Sequence, residues 1–182
     1  MMETKYVLDP IYEFTWDEVM AACKSIALEA DSSFGPNAVV GIAKGGLVPA
    51  TIIACILQID IFPCVVTRRR RGRVVYDRPE VIVSVSEKIK GQRVLIVDGI
   101  VMTGETMRVV SGECTKLDAK GIKTASIWAW SESWKPNFTY MESSGYVMFP
   151  WDYEVLDAGQ FVLNPVYQEY IDSVEMIDDW NG

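Results

Sequence analysis

A chain of 182 residues with a net charge of −8 and a pI near 4.6 is long enough for one domain with its own core, and too acidic to hold nucleic acid on a broad basic face. It contains no histidine. That excludes a Ser-His-Asp triad, a Cys-His pair and any His-ligated metal site, and leaves the chemistry to carboxylates, lysine, hydroxyls, backbone amides or a metal carried by the substrate.

The N-terminus lacks a basic, apolar signal pattern, and the first helix is predicted over Trp16 to Ala30. Val39 to Ala43 reads as a strand that runs into Lys44-Gly45-Gly46 and then into a helical pattern, Val48 to Leu57. The apolar run around Leu47 to Leu57 is too short to span a bilayer, so no membrane is expected. Strands follow at Cys64 to Thr67 and Val81 to Val83, separated by Arg68 to Arg71, a local exception to the acidic surface. A strand at Val94 to Val97, a helix over Thr106 to Ala119 and strands at Thr124 to Trp130 and Tyr146 to Phe149 continue the alternation. A last helix has Asn164 as N-cap, Pro165 at its first position, and Val166, Tyr170, Ile171, Val174 and Ile177 along one face. It is expected to pack onto the domain or onto a partner.

Strands alternating with helices predict βαβ units and an α/β fold, a parallel sheet flanked by helices. No repeat or linker marks a boundary, so residues 1–182 read as a single domain. Cys23, Cys55, Cys64 and Cys114 never approach CxxC spacing and read as buried thiols in a reducing compartment, which places the protein in the cytoplasm.

The stretch VLIVDGIVMTGETM, Val94 to Met107, carries the most chemistry. An unbroken apolar strand ends at Asp98, and ligands of open α/β sheets gather at the carboxyl ends of strands. Thr103-Gly104-Glu105-Thr106 then opens a helix, where free N–H groups and the dipole favour an anion and Gly104 permits close approach. Taken alone, the same four residues serve equally well as an ordinary N-cap.

The segment resembles the diphosphoribosyl-binding signature of type I phosphoribosyltransferases, matching at VLIVD, at Ile100-Val101 and at TGET. Four further stretches are similar to the xanthine/guanine branch: VVGIAKGGLVPA (Val39 to Ala50), YVMFPWD (Tyr146 to Asp152), TWDEV near the N-terminus and KPNFTY (Lys135 to Tyr140). The resemblance runs from about Thr15 to Asp152 in the family's order. It implies a hood built from the chain ends and about 130–146. It implies a 5′-phosphate on Thr103, Gly104, Glu105 and Thr106, ribose on Asp98, and the diphosphate on Lys44, Gly45 and Arg68. Gly72 to Pro79 would form a lid. Tyr146, Trp130 and Asp152 would meet the base.

Three departures stand out. Gly99 and Met102 occupy the positions of the family's second and third acids, and Trp130 stands where the family carries a lysine that donates to the 6-oxo group. In the family the paired acids hold ribose hydroxyls and help place magnesium, while the third acid lies near N7 of the base. With Met102 there, no catalytic proton carrier is assigned. The resemblance implies a cytoplasmic homodimer of nucleotide salvage that binds 5-phosphoribosyl diphosphate or a nucleoside monophosphate, with substrate-borne Mg2+, and transfers phosphoribosyl to a nitrogenous base. The alternative is a non-catalytic nucleotide-binding regulator of the same fold, and a third class is an interaction domain with a vestigial site.

Overall fold

The computed structural model describes residues 11–70, 73–132, 134–168 and 171. In chain order the elements are β1 (Tyr12–Glu13), α1 (Trp16–Ser33), β2 (Ala38–Ile42), α2 (Leu47–Leu57), β3 (Asp60–Thr67), β4 (Arg69–Arg70), β5 (Arg73–Val74), β6 (Glu80–Val83), β7 (Arg93–Val101), α3 (Glu105–Lys116), β8 (Gly121–Trp130), β9 (Phe138–Ser143), β10 (Val147–Met148), β11 (Glu154–Asp157) and β12 (Gln160–Leu163). They fall into two compact units, one spanning Asp17–Ser143 and a smaller one within Met1–Trp16 and Ser144–Gly182. Residues 130–143, expected to join the chain ends in a hood, belong to the larger unit and lead into its edge strand.

The larger unit is built on a six-stranded sheet of order β6-β3-β2-β7-β8-β9. Neighbours from β3 through β9 pair in parallel; α2 joins β2 to β3 and α3 joins β7 to β8, the crossovers that the alternating pattern predicts. β2 is buried at every position and β7 at most of them, which fits strands covered on both faces and explains their continuous apolar sequence. β6 alone is antiparallel, to β3. Among the described residues no helix separates β3 from β6, and β6 runs back along β3.

Helix α1 buries Val19, Ala22, Cys23, Ile26, Ala27 and Ala30, an i, i+3, i+4 stripe. It outruns the predicted end at Ala30 and stops before Gly35, whose φ of 61° accepts the turn. A core cluster joins Val40, Cys64, Ile96, Met107, Val110 and Cys114, so α3 is pinned against β2, β3 and β7. Cys23, Cys64 and Cys114 are buried as expected, and burial pushes each thiol up to about 12. Cys55 departs from that expectation: it is exposed on α2, whose outward face takes it into solvent.

In the smaller unit β1 pairs in parallel with β10, and β11 and β12 form an antiparallel hairpin. Its turn residues Ala158 and Gly159 have φ of 46° and 84°, the doubly positive pair that matches the twist of a two-residue hairpin. Phe14, Phe149 and Trp151 stack in sequence with ring centroids 4.9 and 4.3 Å apart. Asn164 caps the last helix as predicted, accepting from the Val166 N–H at 3.2 Å, and Pro165 to Gln168 are helical. The predicted apolar face continues through Tyr170, Val174 and Ile177, which lie outside the described residues.

Candidate functional site

The turn from β7 into α3 has Gly104 at φ 74° immediately before the first helical residue. A Cβ at Gly104 would lie 2.7 Å from Cδ2 of Trp134, so this position admits glycine for backbone and for space alike. The Thr103 hydroxyl accepts from the Glu105 N–H at 3.4 Å, which is the modest capping contact the sequence allows. Asp98 sits on the strand below. Its Oδ1 accepts from the Gly99 N–H at 2.8 Å, and burial nonetheless pushes the carboxyl up to about 7, the Gly99 hydrogen bond pulling only partly the other way.

The turn from β2 into α2 carries Lys44, Gly45 and Gly46. Lys44 is exposed, and its carbonyl accepts from the Leu47 N–H at 3.1 Å. Gly46 packs against strands β2 and β7: a Cβ there would lie 2.6 Å from the Ile42 carbonyl, 2.8 Å from Asp98 Cα and 2.8 Å from the Val97 carbonyl. The β2–α2 turn therefore meets strand β7 backbone to backbone at Val97 and Asp98. Gly46→Ala is expected to lower stability by about 1–3 kcal/mol, because three backbone atoms cannot yield as a flexible side chain can. Thermal melting checks it, and an unchanged melting temperature would contradict the contact.

Asp98, Arg68, Met102 and the four residues Thr103 to Thr106 line one cleft of about 370 Å3 in the larger unit, at the carboxyl ends of β2, β3 and β7. Arg68 reaches the turn from β3. Its NH1 lies 3.8 Å from the Glu105 carboxylate, and its Nε donates to the Tyr76 carbonyl at 3.3 Å. Lys44 and Gly45 adjoin this cleft through Ala43 but do not line it. The expected lid segment holds β5, hydrogen-bonded to β4 as a short hairpin, while Arg71 and Gly72 lie outside the described residues.

Trp130 ends β8 half-buried, its ring edge-on to Trp128 at 6.1 Å. Tyr146 and Asp152 belong to the smaller unit. Tyr146 is 40% exposed and its carbonyl accepts from the Tyr12 N–H at 2.8 Å. Asp152 has a structural engagement that its sequence context did not announce, since its carboxylate accepts from the Tyr167 hydroxyl at 2.8 Å and its carbonyl from the Asn164 amide at 2.9 Å. The sequence reading also missed Trp134 and Arg108 beside the Thr103-Gly104 turn, and the role of Gly46; only proximity in space marks them.

The family model for the phosphoribosyl transferase domain matches residues 15–158. A xanthine-guanine phosphoribosyltransferase of Idiomarina loihiensis is 25% identical over 138 residues, covering 76% of this chain and 84% of its own. One from Cereibacter sphaeroides is 27% identical over 152 residues, covering 78% and 86%. The crystal structure of a purine phosphoribosyltransferase from Pyrococcus horikoshii superposes with a TM-score of 0.70 at 29% identity, over 81% of this chain and 97% of that one. A parallel sheet whose strand ends carry an Asp98 carboxylate, a Gly-containing helix start and a Lys-Gly-Gly turn agrees with that match, and the chain belongs to the phosphoribosyl transferase domain family.

Proposed function

We propose that the chain transfers the 5-phosphoribosyl group of 5-phosphoribosyl 1-diphosphate to a ring nitrogen of a purine base, releasing diphosphate. The observation that carries this reading is the single cleft in which Asp98, Arg68 and the start of α3 come together. The N–H groups opening α3, with the Thr103 and Thr106 hydroxyls, form a cradle suited to a monoester phosphate. Asp98 would accept from ribose hydroxyls. Arg68, with Lys44 and the Gly45 backbone on the adjoining turn, would take the charge that grows on the departing diphosphate as its bond to C1 breaks. The base-binding roles of Trp130, Tyr146 and Asp152 rest on the sequence pattern.

The donor set facing the cleft fits a substrate-borne Mg2+ and not a protein cage. Among the described residues no three carboxylate or thiol groups converge, Gly99 supplies no side chain, and Glu105 is engaged by Arg68. One carboxylate, Asp98, suffices when substrate phosphates and hydroxyls complete the coordination of Mg2+. When bound, the ion would offset diphosphate charge. Small-molecule substrates and purine salvage as a cytoplasmic homodimer complete the proposal. Among the described residues no helix is long and apolar enough to cross a membrane.

The test is to incubate the protein with 5-phosphoribosyl diphosphate, Mg2+ and a panel of purines, following diphosphate and nucleoside monophosphate together. Equal release of both supports transfer. Tight monophosphate binding with no turnover for any base would replace it with the non-catalytic regulator, which the family relatives, named as transferases, do not favour.

A further inference from the structure

We infer that Trp134 and Arg108 are positioning residues that fix the orientation of the Thr103–Gly104 peptide and thereby the affinity of the α3 turn for a phosphate monoester. The inference rests on the phosphate-binding reading above. Trp134 comes from the β8–β9 connection and lays its indole where a Gly104 side chain would be. Arg108, one turn into α3, donates from NH1 to the Thr103 carbonyl at 3.2 Å, and its guanidinium lies 5.5 Å from the centre of the Trp134 ring. Cation–π contact of this kind holds the guanidinium in place.

The geometry has a direct consequence for anion binding. In a trans peptide the C=O and the following N–H point in opposite directions. With the Thr103 carbonyl drawn towards Arg108, the Gly104 N–H is turned away from Arg108 and kept as a donor, at a residue that lines the cleft. Glycine at φ 74° is free to adopt other conformations, so this peptide would otherwise be the softest part of the turn. If it flipped, a carbonyl oxygen would face an incoming phosphate in place of an N–H. Trp134 blocks the space the turn would need, and Arg108 holds the oxygen.

The experiment is titration calorimetry with ribose 5-phosphate and with free purine base on the wild type, Trp134→Ala, Trp134→Phe and Arg108→Gln, alongside steady-state kinetics with the diphosphate donor. Loss of one N–H donor to a charged phosphate should weaken ribose 5-phosphate about 10- to 100-fold in Trp134→Ala and Arg108→Gln. Trp134→Phe should restore binding to within about threefold, and free base affinity should be unchanged. KM for the donor should rise with kcat preserved, because the contact acts equally in ground and transition states. Wild-type affinity for ribose 5-phosphate in Arg108→Gln, an exposed position whose change leaves the core intact, would overturn the inference even if Trp134→Ala failed to fold. If the wild type itself does not bind ribose 5-phosphate, the phosphate reading of the turn falls and the inference with it.

Discussion

Raising the pH from 5 to 8 should loosen the unliganded fold and tighten donor binding, and Asp98→Asn should abolish both effects. The two trends come from one carboxyl. Burial holds Asp98 at about 7 against an ordinary 3.8, so the folded state binds its proton more tightly than the unfolded chain does. A carboxyl raised in this way contributes stability that is fully present below 3.8 and is lost as the pH climbs through about 7. The full loss is no more than about 4 kcal/mol, from about 1.4 kcal/mol per pH unit between the two values. Ligand binding runs the other way. In the proposed role of Asp98, ribose hydroxyls donate to it and a Mg2+ carried by the substrate needs an anionic oxygen, so both select the ionised form. Below pH 7 the donor should therefore expel a proton as it binds, detectable by calorimetry in two buffers of different ionisation heat. Denaturant melts at pH 5 and 8 give the stability half. A stability difference that survives in Asp98→Asn would mean another group titrates, and donor binding without proton release at pH 6 would show that the carboxyl is already ionised.

This carboxyl also shows how far the sequence could be read. Asp98 was identifiable because an unbroken apolar run marks a strand whose carboxyl end faces the site; the strand was expected to end at Asp98, whereas β7 continues to Val101 and Asp98 lies within it, paired with Ser126 of β8. Strands covered on both faces advertise themselves through runs of Val and Ile. β9 does not: FTYMES is half-buried with an alternating pattern, and it is held partly by Asn137, whose side chain accepts from the Thr124 N–H at 3.0 Å while its own N–H donates to the Thr124 hydroxyl at 3.1 Å. The β11–β12 hairpin was hidden because Asp157-Ala158-Gly159-Gln160 carries the first of its two positive φ angles on an alanine, where Asn or Asp would have signalled the turn. At the cleft, the residues that carry the family motif, Asp98 and Thr103 to Thr106, were legible from the sequence. Gly46, Arg108 and Trp134 act by contact with chain distant in sequence or by orienting a neighbour, and nothing local to them reports it.

Met102→Asp combined with Trp130→Lys should raise turnover of guanine, hypoxanthine and xanthine by roughly 10²- to 10⁴-fold over the wild type, the range contributed by a positioned general acid or base. The family pattern has an acid at position 102 and a lysine at the position matched to Trp130. Methionine transfers no proton, and tryptophan offers a single uncharged donor in place of an ammonium. Met102 is 45% exposed and lines the cleft with Asp98 and the α3 turn, so an aspartate there would stand in the cleft and remain solvated enough to ionise. Asp98 and the TGET turn keep the family pattern while Met102 and Trp130 depart from it, which is the distribution expected of a site retuned for a different base and not of one in general decay. The wild type should then act slowly on the ordinary 6-oxopurines and bind its acceptor chiefly by stacking, worth about 1–3 kcal/mol per base. Single substitutions separate the two contributions: Met102→Asp should raise kcat, and Trp130→Lys should strengthen the binding of purines that carry the oxo group over that of bases that lack it. A wild type that already turns over guanine, hypoxanthine or xanthine at about 10 s⁻¹, a rate usual for enzymes, would show that another group does the work of the missing acid. A double variant no faster than the wild type would show that position 102 does not reach the reacting nitrogen.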